Sequence, residues 1–326
     1  MREGPFVFLR GTFYRWMQLW PVHCPALDTA PKVAGVGDLH LENFGTWRDA
    51  KGRLVWGIND VDEACKAPYT LDLVRLATSV MLAIRDGHLA LSERAACAAI
   101  LDGYTASIDH GGQPFLLDGG HPWLTRVVRH RERNPERYWK KLQASPRATG
   151  RVPRQELLAA LPDAKARVAF VHRIAGVGSL GRQRFVAIAA GAGGLNAREA
   201  KALLPSAAAW ARGKENPRIH INELLSHAVR VIDPSFALQG PWMIRRLAPD
   251  CARIELADLG EARDERKLLR AMGWETANLH LGSKRRTIAT HLRRQGVRWL
   301  EDAARAMAAA TVDDWRAFRR SPATPS

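Results

Sequence analysis

An α+β protein of two lobes is predicted by three observations on this sequence. First, two polar clusters, Gly37-Asp38-Leu39-His40-Leu41-Glu42-Asn43 and Ile58-Asn59-Asp60-Val61-Asp62, flank the apolar run Leu54-Val55-Trp56. That pattern reads as a loop, a hairpin strand and an acidic turn. Second, apolar residues recur at helical spacing from Leu71 to Ile84, and the stretch from Asp264 to Ala310 is mostly helical in pattern. Third, the intervening part changes character: Val168 to Ile174, Phe185 to Ala189 and Trp242 to Leu247 read as strands punctuated by glycine turns. The expected division is a helical lobe from residues 1–165 and 250–326, and a β-rich lobe from 166–249.

The individual elements follow in chain order. Residues 1–20 mix aromatic and basic side chains (Phe6, Phe8, Arg10, Phe13, Tyr14, Trp16) and should pack on the core as helix or strand. After the loop–strand–loop of 33–62 and the helix at 71–84, Ser92 is a plausible N-cap for a helix running to about Ile108. Residues 109–160, rich in Pro, Gly and Arg, read as a surface insertion with short helices. In the β-rich part a strand pair is expected at Val229–Ile232 and Trp242–Leu247, ended by Pro249-Asp250.

Composition bounds the functional classes. With 326 residues, 46% of them hydrophobic and 25% charged, the chain can bury a substantial core. No apolar run reaches membrane-spanning length, and Met1-Arg2-Glu3-Gly4-Pro5 lacks the layout of a signal peptide. Cys24, Cys65, Cys97 and Cys251 have no metal-ligand spacing, so reduced structural thiols in a cytoplasmic protein are expected. The net charge of +16 attracts nucleotide phosphates, nucleic acid or an acidic protein. Its densest group, Lys284-Arg285-Arg286 with Arg293, Arg294 and Arg298, falls on helical spacing and reads as a solvated face. No nucleic-acid recognition motif accompanies the charge, so nucleic acid is not the favoured partner.

The chemistry concentrates in the two polar clusters. Asp38 offers a base, and Asn43 and Asp60 offer oxygen ligands for a hard cation, the parts that phosphoryl transfer from a nucleotide requires. His40, with no second histidine at ligand spacing, reads as a brace of the loop. Asp62 and Glu63 read either as groups supporting the site or as plain turn acids, the second being favoured. Asp72 opens a helix, where a carboxylate stabilises the helix end or braces the site. Gly176-Val177-Gly178-Ser179-Leu180-Gly181 lies between β-like segments, whereas a dinucleotide fold would need a helix directly after it. Strand, glycine loop, strand is instead a flap over phosphates, in which backbone N–H groups approach closely.

Together, Gly37-Asp38-Leu39-His40-x-x-Asn43, Ile58-x-Asp60-x-Asp62-Glu63-Ala64 and Asp72-Leu73-x-Arg75-Leu76 resemble the aminoglycoside phosphotransferases and related kinase-like enzymes. The chain resembles still more closely the bacterial family of domain of unknown function 2252. That likeness rests on Pro5-Phe6-x-Phe8-Leu9-Arg10-Gly11, the run 37–45, Asn59-Asp60-x-Asp62-Glu63 and the glycines of 176–181. The resemblance implies a two-lobed protein-kinase-like fold, ATP and Mg2+ as cofactors, Asp38 as base with His40 beside it, and Asn43 and Asp60 as magnesium ligands. The acceptor would be a hydroxyl group of an unknown small molecule or protein.

Motif order departs from the ordinary kinase-like arrangement. There the glycine flap comes first and the catalytic loop later; here the loop precedes the flap by more than a hundred residues, which a circular permutation accounts for. The helix with Asn278-Leu279-His280-Leu281-Gly282 resembles the one that normally precedes the catalytic loop. Gly176, Gly178, Ser179 and Gly181 would cover the phosphates, and Arg198 or Lys201 would neutralise them. Period-two alternation puts Ala197, Glu199 and Lys201 on one face and Arg198 on the other, so one of the two cations points inward. Glu215 or Glu223 would be its acidic partner. A nucleotide-binding pseudokinase and a basic nucleic-acid-binding protein are the alternatives.

Overall fold

Tyr69–Arg85 forms helix α3, and its residues from Tyr69 to Ala83 are all buried. A helix buried on every side lies in the middle of a core rather than on its surface. The computed structural model, which describes residues 1–129, 134–163, 167–174, 182–191, 193–213, 217–251 and 262–321, builds the helical part of the molecule around it. Helices α1 (Pro5–Gly11) and α2 (Phe13–His23), where the sequence left helix or strand open, pack Phe6, Phe13, Trp16 and Trp20 into this core. Helix α4 (Glu93–His110) begins where Ser92 Oγ accepts from the Ala95 N–H at 3.2 Å. It ends at Gly111, whose φ of +97° and N–H bond to Ser107 O are the usual left-handed helix stop.

The long helix α10 (Ala262–Arg293) lies on α4, and α11 (Trp299–Arg320) on α3. Arg285, expected on a solvated face, donates to the carbonyls of Ile108 and Asp109 at 2.7 and 2.5 Å and so closes the end of α4. Helices α5 (Pro122–Arg129), α6 (Pro135–Gln143) and α7 (Arg154–Ala159) occupy the insertion, and the short α8 (Ala207–Ala211) and α9 (Ile221–His227) come later in the chain.

Strands form three antiparallel groups. Strand β1 (Lys32–Gly35) pairs with β4 (Cys65–Pro68), while β2 (Phe44–Arg48) and β3 (Leu54–Ile58) form a hairpin joined by β5 (Phe115–Leu116). Strand β3 is buried along its length, with Trp56 stacked on Phe44 and edge-on to Phe115. The remaining strands, β6 (Arg167–His172), β7 (Arg184–Gly191), β8 (Gly194–Ala202), β9 (Ala237–Gln239) and β10 (Trp242–Leu247), make a five-stranded sheet in the order β6-β7-β8-β10-β9. On one face Phe185, Ala187, Ala200 and Ile244 pack against Leu157 and Leu161; on the other Val171, Val186, Ala197 and Leu247 pack against Leu142 of α6.

The strand expected at Val229–Ile232 is not one: the partner of β10 on that side is Ala237–Gln239. The 229–232 backbone is engaged by the helical part instead. The Val229 N–H donates to Asn278 O at 2.9 Å, and Trp47 Nε1 donates to Val231 O at 3.2 Å.

Candidate functional site

The loop between β1 and β2 carries Asp38, His40 and Asn43, and glycine makes it possible. Gly37 has φ +80°, and a Cβ there would meet Glu63 O at 2.4 Å, so both conformation and space exclude a side chain. Asp72, 2% exposed in the first turn of α3, accepts from the Val36 and Gly37 N–H groups at 2.7 and 2.9 Å. His280 Nε2 lies 2.9 Å from the same carboxylate, and its Nδ1 lies 3.0 Å from Tyr104 Oη. The sequence left two roles open for Asp72, and the structure makes it the brace of the loop. His40 is likewise a brace: its Nδ1 accepts from the Glu42 N–H at 3.1 Å.

Asp38 is held by Arg75, a residue that sequence reasoning gave no role. Arg75 Nε lies 2.9 Å from Asp38 Oδ1, and a second guanidinium nitrogen also reaches that oxygen. Arg75 is fully buried, lies over the rings of Phe13 and Trp16 at 5.0 and 4.9 Å, and donates to Leu9 O at 2.8 Å. Burial raises the Asp38 pKa, Arg75 lowers it, and the negative charges of Glu63 and Asp62 raise it again, which leaves it pushed up to about 7. A base poised near neutrality is what proton abstraction at ordinary pH needs. The available signal for Arg75 was its place one turn beyond Asp72 in an otherwise apolar helix, where a buried guanidinium must have an acidic partner.

Asn43 joins the two loops. Its Nδ2 donates to Asp38 O at 3.0 Å and Asp60 O at 3.3 Å, and the Asn59 N–H donates to Asn43 O at 2.9 Å. Asn43 is 4% exposed, yet its Oδ1 has no hydrogen-bond partner among the described residues. An unpaired buried carbonyl oxygen costs about 1–3 kcal/mol, so its persistence needs a reason.

Of the two candidate cations, Lys201 is brought to the acidic turn. Its Nζ lies 3.4 Å from Asp60 Oδ1 and pairs with Asp62. Arg198 is on the other face of β8, where its Nε donates to Ala160 O at 2.9 Å and anchors the end of α7. Asp62 and Glu63 are more than turn acids: both pair with Arg182, Asp62 at 2.6 Å, and Glu63 accepts from the Ala207 N–H at 2.7 Å. They therefore bind the β-rich part to the acidic turn. Gly176, Gly178, Ser179 and Gly181 lie outside the described residues, as does Glu215. Glu223 pairs with His220 at 2.8 Å.

A cation fits the oxygen donors present. Among the described residues no three His, Cys, Asp or Glu side chains cluster as metal ligands. Magnesium takes one or two carboxylates and fills its octahedron with water and phosphate, and the Asp60 carboxylate and the orphaned Oδ1 of Asn43 are oxygen donors of the type it uses.

Fold and loop thus define an α+β protein with an acid-and-amide site between a helical core and a five-stranded sheet. Residues 1–169 match the model of a family described as uncharacterized protein conserved in bacteria, DUF2252, and the chain belongs to that family. Comparison with curated proteins and with solved structures returned no match in either case. Among the described residues no helix is long and apolar enough to cross a membrane.

Proposed function

We propose that this protein is an ATP-dependent phosphotransferase of kinase-like, circularly permuted architecture, acting on a hydroxyl group of a small molecule or protein. One observation carries the reading: Asn43 ties the backbone behind Asp38 to the backbone of Asp60 while its own Oδ1 has no partner among the described residues. A base and a pair of cation ligands are thereby held on one frame. Support also comes from Lys201, which reaches Asp60 from β8, in the middle of the five-stranded sheet.

In the proposed reaction the acceptor oxygen bonds to the γ-phosphorus as the bond from that phosphorus to the β-phosphate bridging oxygen breaks, and ADP leaves. The acceptor proton passes to Asp38. Both guanidinium contacts from Arg75 fall on Oδ1, which leaves Oδ2 to receive it. Asp60 and Asn43 would hold Mg2+, which neutralises phosphate charge when bound. Lys201 would exchange its contact with Asp60 for the phosphates, a shift that a flexible, strongly solvated ammonium group tolerates.

The test separates base from ligand. Asp38→Asn should abolish turnover and leave magnesium-dependent ATP binding within about threefold of the unmodified protein, a difference below 1 kcal/mol. Binding lost together with turnover contradicts that division of roles. A second reading, a nucleotide-binding pseudokinase, is favoured by the ion pairs that already engage Asp38, Asp62 and Lys201. Thermal shift with ATP decides between them: a rise that requires magnesium supports the enzyme, and a metal-independent rise the pseudokinase.

A further inference from the structure

A cavity of about 770 Å3 opens beside the acidic turn, within the size range of small-molecule sites. Arg173, Arg184, Arg245 and Arg246 line it from the sheet, and Trp47, Ile58, Leu225 and Phe236 supply apolar walls. Lys201 and Asp60 are not part of that lining.

The arginines are unevenly satisfied. Arg246 pairs with Asp250 at 3.1 Å, and Arg10, also on the lining, pairs with Glu42 at 2.5 Å. Arg173, Arg184 and Arg245 all converge on one fully buried carboxylate, Glu199, at 2.6, 3.7 and 2.6 Å. At contact distance the three guanidiniums share this one carboxylate, and Asp60 and Asp62 act on Arg245 from further off. Arg184 is the most exacting case. It is 3% exposed, its nearest Glu199 contact is long, and its Nε has no hydrogen-bond partner among the described residues. A second lining residue, Asn59, has an equally unpartnered buried Oδ1. A buried guanidinium with one long, shared ion pair is incompletely satisfied, and a cavity that presents it beside apolar walls matches a ligand that supplies further negative charge.

We propose that this cavity binds a small molecule carrying two or more negative charges, as phosphate or carboxylate, on an apolar frame. Arg184, Arg173 and Arg245 hold the anionic groups, and Glu199 fixes the three guanidiniums in place. Asn59 Oδ1 accepts from a ligand hydroxyl or amine, and Trp47 and Phe236 face the apolar part. The site stands whether or not the chain transfers phosphate, because none of Asp38, Asn43, Asp60 and Lys201 takes part.

The probe is inorganic tripolyphosphate, titrated calorimetrically into the full chain without divalent cation. Arg184→Met should weaken binding at least about tenfold, the loss of one charged hydrogen bond. Ser226→Trp, which narrows the cavity from a lining position outside the arginine cluster, should weaken it similarly and guards against misfolding of the first variant. Arg316→Met, which removes an exposed cation of α11 outside the lining, should leave affinity within about twofold, well under 1 kcal/mol. Competition by ATP would assign the anions to a nucleotide, and additive binding to a separate phosphorylated or carboxylated compound; either result supports the site. Absence of binding, affinity unchanged in both cavity variants, or an equal loss in Arg316→Met would overturn it.

Discussion

Asp38 shows how opposed effects can hold a carboxyl near neutrality, as the proposed role of base requires. Burial alone would make this carboxyl a poor base by keeping it protonated, and Arg75 alone would make it a weak one by holding it ionised. Together they leave it at about 7, and the sign of the pH dependence follows. A base works deprotonated, so turnover should be lost as pH falls through about 7 and reach a plateau above it. Arg75→Met removes the charge that favours the carboxylate, so the rising limb should move to higher pH by on the order of one unit or more. A profile of kcat/KM against pH measures both, and an unmoved limb in the variant would mean that Arg75 only packs. Asp38, Asn43 and Asp60 were legible in the sequence because their spacing in two short turns is itself the signal. Arg75 was not, because α3 signals only that its guanidinium needs an acid, and that acid lies 37 residues away. Arg182, whose acids lie 120 and 119 residues away, escaped for the same reason.

Helices and strands were readable to the extent that their signals are local. The period of α3 and the cap of α4 are written in consecutive residues, and both elements formed as expected. Val229-Arg230-Val231-Ile232 carries β-branched residues that favour a strand, but propensity yields where tertiary contacts take the backbone groups. The contact of α4 with α10 is another feature that propensity misreads. Gly103 and Gly273 lie inside helices, where alanine would normally add up to about 1 kcal/mol of stability. Here a Cβ at Gly103 would lie 1.8 Å from Arg270 O, and one at Gly273 would lie 1.9 Å from Ile100 O. Backbone touches backbone, so the helices must separate to admit a methyl group. Gly103→Ala and Gly273→Ala should each destabilise the fold, by about 1–3 kcal/mol or more, as overpacked cores do. Thermal unfolding followed by far-UV circular dichroism reads the change; a raised melting temperature would show that the helices do not meet at these positions.

At the scale of the whole molecule, α1 and the residues before it lie against the end of α11, and the proposed permutation can be tested there. The Arg2 guanidinium donates to Arg319 O at 2.9 Å and to Ser321 O at 2.7 Å and lies over the Phe318 ring. Phe8 packs on Phe318 as well, with ring centroids 5.4 Å apart. A short linker could therefore join residue 321 to residue 1 without disturbing α1 or α11. On the other side, α7 ends at Ala159 and β6 begins at Arg167, so a new start at residue 167 cuts no helix or strand. Such a chain would run β-rich part first, then α10 and α11, then the loop of Asp38, the motif order of an ordinary kinase-like enzyme. Contacts and not chain order fix the fold, and closing a loop of a few residues has a small entropic cost. The rearranged protein should fold cooperatively with a melting temperature within about 10 °C of the original, a change of a few kcal/mol at most for a chain of this size. It should also keep whatever ATP response the original shows in thermal shift. A rearranged chain that stays unfolded in circular dichroism would show that 1–321 connectivity is part of what the fold needs, and would remove the strongest whole-molecule argument for permutation.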